Sequence, residues 1–272
     1  MSFTPIVPIG GFAGWRFLQR TMDRQMETLG NGSMLQRDEN HFRQTIGKIQ
    51  TAKELVADYR LLSTALTAFG LSEDLPNRAF IQRVLETDLS DPRGFANRLA
   101  DKRYAEIARA FDFRSETGNR MKDPAAVEAL LSNARERRFE EAVGEQKSDL
   151  RLALALQRDL QKIAQESGSD NAGWYTVLGT PSLREVFETA FGLPREFAAL
   201  DLDRQMEILK VRTHRLTGRS QIAQFKETGP LEQLTRRFFV GAELSNTQQK
   251  PRSSVALSIL QSIPRGPTFR TV

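Results

Sequence analysis

The chain contains no cysteine among its 272 residues, which excludes disulfides, thiolate nucleophiles and any zinc or iron–sulfur site built on Cys. Histidine is nearly as scarce. His41 and His214 stand far apart in the sequence, and neither falls in HExxH or a comparable ligand spacing. His214 lies among Lys210, Arg212, Arg215 and Arg219, a positive neighbourhood that discourages a metal ion, so no metal site is expected. Asp38 precedes His41 by three residues and can orient the ring or cap a helix; capping is the simpler role. GxSxG, P-loop and GxGxxG patterns are absent as well. Gly10, Gly11 and Gly14 precede a helical pattern but follow no strand, so they fail the context a dinucleotide site requires.

Long apolar runs are also missing, since charges interrupt each one, and a transmembrane helix is not expected. Met1 to Gly14 lacks the basic start and the long apolar segment of a cleavable secretory signal. A charge of one sign is missing over most of the chain. Residues 1–199 hold 27 Lys and Arg against 28 Asp and Glu, whereas residues 200–272 hold 12 against 6. The net charge of +5 therefore belongs to the C-terminal quarter, where Lys210, Arg212, Arg215 and Arg219 are the candidate contacts for an acidic partner. Nucleic acid is the weaker form of that reading, because Phe225, Phe238 and Phe239 fall where a core would want them and supply no stacking platform.

Carboxylates are plentiful, but Glu141, Glu145 and Asp149 repeat at four-residue spacing beside Arg137, Arg138, Lys147 and Arg151. That is the pattern of a solvated helix face with local ion pairs. A paired-carboxylate hydrolase would need convergence from separate elements. No catalytic residue and no cofactor is implied, and the expectation is a protein that is not an enzyme.

What the chain does have is helical periodicity. Hydrophobic residues at 39% and charged residues at 27% suit a folded domain. No segment alternates polar and apolar residues with β-branched enrichment, so the expected fold is all-α and multihelical. The stretch Thr51 to Leu71 reads as one complete amphipathic helix: Thr51 and Glu54 form a capping box, Leu55, Tyr59, Leu62, Leu66 and Phe69 make the stripe, and Gly70 supplies a left-handed end. Its last letters, Ala68-Phe69-Gly70-Leu71, recur as Ala190-Phe191-Gly192-Leu193. The recurrence admits a weak internal repeat or a common helix ending used twice.

In order along the chain, residues 1–36 read as a tail and an amphipathic helix carrying Trp15, Leu18, Met22, Met26 and Leu29, a stripe whose simpler use is intramolecular core and whose alternative is a face for a partner helix. A first helical lobe spans 37–121, with an exposed loop expected at 114–122. A second spans 122–250, with another loop at 167–173. A long helix through Arg135 to Gln165, unbroken after Gly144, is expected to join the lobes. Residues 251–272 form a C-terminal tail that includes Leu257 and Leu260. Phe3, Ile6, Trp15, Leu257 and Leu260 are apolar side chains that can dock a partner.

The residues from Phe42 to Ile49, KELVADYRLLSTALTAFGLSED from Lys53 to Asp74, AFIQRVLETDLSDPRGFANRLADKRY from Ala79 to Tyr104 and Ala110-Phe111-Asp112-Phe113 resemble the uncharacterised bacterial family known as domain of unknown function 1217. The match is strong over the first lobe and looser beyond it. The resemblance implies an all-helical fold and a setting in flagellar gene clusters of alphaproteobacteria. It brings no catalytic residues or cofactors with it. The expectation it completes is a non-enzymatic protein of flagellum assembly or structure, acting through protein partners in the cytoplasm or the flagellum. The alternative is a cytosolic binder of nucleic acid or an acidic protein through the basic C-terminal quarter.

Overall fold

The computed structural model describes residues 3–99, 101–114, 119–166 and 168–249. Among these the chain is all-helical, with thirteen α-helices and no strand. They are α1 (Gly11–Gly30), α2 (Ser33–Thr45), α3 (Ala52–Ala57), α4 (Tyr59–Ala68), α5 (Arg78–Leu85), α6 (Phe95–Arg98), α7 (Arg103–Phe111), α8 (Pro124–Gln146), α9 (Ser148–Glu166), α10 (Asp170–Gly179), α11 (Pro181–Phe191), α12 (Leu202–Thr217) and α13 (Thr228–Gln249). None of the described helices is long and apolar enough to cross a membrane.

Two separate apolar cores organise these helices. The first gathers Phe42, Ile46, Leu55, Leu62, Leu66, Ile81, Val84, Ile107 and Phe111 from α2 to α7. The second gathers Trp15, Leu18, Leu150, Leu156, Trp174, Phe187, Phe225 and Phe238 from α1 and from α9 to α13. Helix α8 enters both. Its N-terminal half gives Val127, Leu130, Leu131 and Ala134 to the first core, and its C-terminal half gives Phe139 and Val143 to the second. At about 100° per residue these two sets point to different sides of the helix, roughly 150° apart. A chain-wide amphipathic stripe on α8 is therefore absent, although every turn of it is used.

Two helices expected to be continuous are broken. Within 51–71 the chain bends at Asp58, whose carboxylate accepts from the N–H groups of Arg60 (2.9 Å) and Leu61 (3.1 Å) and so caps α4. Tyr59, placed in the apolar stripe by its spacing, consequently lies 57% exposed. Thr51 does cap α3, accepting from Glu54 N–H at 3.2 Å, while Glu54 reaches back to Gln50 N–H at 2.7 Å. The second break is at Lys147, where an extended residue turns the chain between α8 and α9 and lets them pack side by side. The break falls three residues after Gly144, and no residue type at that point announces it.

The two Phe-Gly-Leu endings share one cap. Gly70 and Gly192 adopt φ of +67° and +59°, and the following N–H closes back on the helix, Leu71 to Leu66 O at 2.8 Å and Leu193 to Glu188 O at 2.9 Å. This is a Schellman ending, for which glycine is the natural residue.

Asp38 caps nothing: α2 begins at Ser33, and Asp38 sits inside it, 3.0 Å from Arg60 Nε. His41 instead meets Asp58, with Nε2 2.8 Å from Oδ2. Partial burial pushes Asp58 up, but the Leu61 N–H, His41 and the Arg60 N–H together hold its carboxyl below the ordinary 3.8. A carboxyl with a depressed native value gives stability that is complete above its unfolded value and fades as pH falls through the native one. Asp58→Ala should therefore lose the α4 cap, about 1 kcal/mol near neutrality. Asp58→Asn should keep most of the cap yet flatten the loss of stability below pH 3.8. Urea denaturation from pH 7 to pH 2 separates the two effects.

Part of the expected loop at 114–122 is interior. Asn119 is 2% exposed, donates from Nδ2 to the carbonyls of Ile46 and Ile49 at 3.0 Å each, and accepts from Met121 N–H at 2.8 Å. A polar side chain in a polar sequence thus serves as an internal clamp, which sequence pattern alone reads as a surface turn.

Candidate functional site

Helix α12 carries the basic residues singled out from sequence. Asp201 caps it, accepting from Arg204 N–H at 2.8 Å, and Gly218 at φ +79° ends it. Gln205, Met206, Leu209 and Thr213 face inward, so helical geometry turns Arg204, Val211 and Arg215 outward along one line. Val211 is 41% exposed. The four predicted cations do not behave alike. Lys210 lies 3.1 Å from Asp170 Oδ2 and 2.6 Å from Asn171 Oδ1, so it ties α12 to the start of α10. Arg219 grips Glu227 through both terminal nitrogens at 2.8 Å. Arg212 and Arg215 are exposed, and among the described residues neither lies within ion-pair distance of a carboxylate.

The apolar docking residues separate in the same way. Trp15 is 3% exposed, with its ring 6.3 Å from that of Phe239; the second core has taken it, and it drops out of any docking surface. Phe3 packs its ring 6.0 Å from Phe139. Ile6 points outward, 64% exposed. Leu257 and Leu260 lie outside the described residues.

Two polar centres were not visible in the sequence. The first is a cleft of about 670 Å³ between α1, α2 and α8, lined by Met26, Gln36, Glu39, Asn40, Arg43 and Arg135 among others. Glu39 is 5% exposed and is held by Arg135 at 2.5 and 2.8 Å and by Arg43 at 3.3 Å. Arg43 also forks onto Glu128 at 2.6 and 3.0 Å. Donation to the Glu39 carboxylate raises Arg135 above the ordinary guanidinium range despite partial burial. Carboxylates and guanidiniums balance along the wall, so the cleft presents no net field to a charged ligand. Its one sequence signal is the Glu39–Arg43 spacing of four; Arg135 arrives from α8.

The second polar centre joins the lobes. Glu140, 8% exposed, pairs with Arg158 and lies 3.8 Å from Arg137. Asp159 approaches Arg158 at 2.8 Å and Arg137 at 3.7 Å. From the first lobe, Arg103 donates to the carbonyl of Gly70, and Glu106 meets Lys162 at 3.4 Å. Burial, and then the adjacent Arg158, push the Arg137 guanidinium down to about 10. Such a perturbed group can mark a functional site. Here its surroundings are helix ends and compensating carboxylates from both lobes, and the arrangement does the work of a joint. Among the described residues no three His, Asp or Glu side chains converge to hold a metal ion.

A crystal structure of protein AGR_C_984 from Agrobacterium tumefaciens is similar in fold, with a TM-score of 0.71 and 26% identity over 89% of this chain and 99% of that one. No curated protein matches. The model of the family described as protein of unknown function (DUF1217) matches residues 68–230, from the Phe-Gly-Leu ending of α4 to the start of α13. That span is more than half of the 272 residues, and the chain belongs to the DUF1217 family.

Proposed function

We propose that this protein is a non-enzymatic component of flagellum assembly or structure that acts by contact with other proteins, in the cytoplasm or in the flagellum. The observation that carries the contact is the outer face of α12, where Arg212 and Arg215 stand exposed and without a carboxylate partner among the described residues, beside the exposed Val211. Cations left unpaired next to apolar surface suit an acidic protein partner, for which charge steers encounter and apolar contact adds affinity. The flagellar setting is what the sequence resemblance of 42–49, 53–74 and 79–104 implies.

The test combines genetics and capture. Deleting the gene in a motile host should impair filaments or swimming, and the tagged chain should retrieve flagellar proteins. The double variant Arg212→Glu, Arg215→Glu should retrieve far less while unfolding within about 0.5 kcal/mol of the parent, because both side chains are on the surface. Lys210→Met should instead weaken the fold, since it removes the partner of Asp170. Normal motility and normal filaments in the deletion strain would sink the flagellar reading.

A cytosolic binder of nucleic acid is the second reading, and the pairing of Lys210 and Arg219 weakens it. With Arg212 and Arg215 as the cations left from the predicted set, the slope of log affinity against log salt would be about −2. A much steeper slope with an RNA or DNA oligonucleotide would favour it.

A further inference from the structure

Residues 3–10 belong to no helix, yet they are built into the fold. Phe3, Pro5 and Val7 turn toward the second core, whereas Thr4, Ile6 and Pro8 are partly or fully exposed. Burial at every second residue is the signature of an extended backbone. The groove that receives this strap lies between α1 and the C-terminal half of α8. Gln25, 6% exposed, accepts from Ile6 N–H at 2.7 Å and donates to Ile6 O at 3.2 Å. Gln146 donates to Pro5 O at 2.7 Å. Phe139 supplies the apolar floor for Phe3. Two glutamine amides thus read main chain, as a neighbouring strand would, and the sockets between them take alternate side chains.

The strap is joined to α1 by a tight reversal. Gly11 adopts φ +67°. A Cβ on Gly14 would lie 2.1 Å from the carbonyl oxygen of Ile9, a contact only glycine permits. Glycine meets both requirements without strain, whereas a side chain at position 14 would press on the Ile9 carbonyl and favour an opened hinge, which leaves every contact of residues 3–9 available to be remade. Beside the hinge, Ile6 and Ile9 are 64% and 51% exposed, although Ile9 is flanked by groups that are committed: Gly11 N–H donates to Asp149 at 3.2 Å.

We propose that the strap is exchangeable: the groove between α1 and α8 takes residues 3–9 of a second copy of this chain, and two copies trade straps reciprocally to form a dimer. A second copy is the occupant because its strap offers the same main-chain groups to Gln25 and Gln146 and the same Phe3, Pro5 and Val7 to the sockets, so each contact made within one chain is remade between two. The outward Ile6 and Ile9 then lie where two straps cross, which gives these apolar side chains a partner. Tethering holds the closed form at an effective concentration in the millimolar range; weakening the hinge tips the balance toward exchange. This inference concerns the chain's own assembly and stands independently of the flagellar reading.

Full-length Gly14→Ala, examined by size-exclusion chromatography with light scattering over a concentration series, should shift the monomer–dimer equilibrium toward dimer by about tenfold or more relative to the parent. Gly14→Ala strains the closed form and leaves a monomer whose strap is undocked, so in that background the dimer alone still uses Gln25 and adding Gln25→Ala should return the chain to monomer. In the parent, where closed monomer and dimer use Gln25 alike, Gln25→Ala should leave the equilibrium unchanged. A second arm uses the full-length chain carrying Phe3→Ser and Val7→Ser, whose own strap competes poorly. It should bind a fluorescent peptide with the sequence of residues 3–10, and Gln25→Ala in that background should weaken binding by about tenfold. A folded Gly14→Ala chain that stays monomeric overturns the proposal, as does a dimer indifferent to Gln25→Ala, which would place the contact elsewhere. Should Gly14→Ala fail to fold, the peptide arm decides, and absence of Gln25-dependent uptake overturns it.

Discussion

Phe187→Ala should lower the stability of the second core by about 3–5 kcal/mol, the range for truncating a buried aromatic, and lower its melting temperature by roughly 6–15 °C. Phe187 is 0% exposed and stands at the centre of an aromatic group, with ring centroids 5.6 Å from Trp174, 5.8 Å from Phe191 and 6.3 Å from Phe225. Alanine would leave a void bounded by these rings and by α11 and α13, whose packing is the most extensive between any two helices. The same substitution also bears on cooperativity. If the two cores unfold together, tryptophan fluorescence and far-ultraviolet circular dichroism will shift by the same amount in urea. If they unfold separately, fluorescence will shift in full, because Trp15 and Trp174 both belong to the second core, while the dichroism curve will become biphasic with only the phase from the second core's helices displaced.

The second large effect is expected at the joint between the lobes. Glu140→Ala should cost about 3 kcal/mol, since removing one member of a buried ion pair leaves its partners charged and poorly solvated. Those partners are Arg158 and Arg137, with side chains 21% and 22% exposed. Arg137 is already pushed down to about 10 by burial and by Arg158, so losing Glu140 removes a carboxylate from a site already crowded with positive charge. A double-mutant cycle with Arg158→Met identifies the mechanism. If the loss reflects an orphaned cation, Glu140→Ala in the Arg158→Met background will cost much less than in the parent. Equal costs in both backgrounds would mean that Glu140 stabilises α8 by some route other than Arg158.

Local chemistry was readable wherever a feature is decided within one turn of helix. The Thr51 cap and the glycine endings at Gly70 and Gly192 are such cases, and so is the helical class itself. The break at Asp58 escaped because Leu55, Leu62 and Leu66 keep their spacing across it: both short helices feed the same core, so periodicity does not register the bend. The break at Lys147 escaped for the opposite reason, since a charged residue in a charged stretch carries no turn signal. At the candidate site, exposure of Arg212 and Arg215 follows from the α12 pattern alone. Neutralisation of Lys210 does not, because Asp170 and Asn171 come from a different helix. Trp15 and Asn119 show the same dependence on distant chain. The stripe that carries Trp15 suits a core face or a partner face equally well by its spacing, and distant chain decides for the core; Asn119, a polar side chain in a polar stretch, reads as surface, and tertiary packing makes it interior.

The two different faces of α8 make its middle a torsional setting. Between Ala134 and Phe139 the helix runs without interruption, so the number of residues there determines the angle at which one lobe is presented to the other, about 100° for each residue gained or lost. Arg137 and Glu140 stand within or next to that short interval and meet Arg158 and Asp159 at one phase alone. Evolution can therefore resurface either lobe freely, but it cannot change the length of this segment by a single residue without dismantling the joint and turning the outer face of α12 toward a different direction relative to the first lobe.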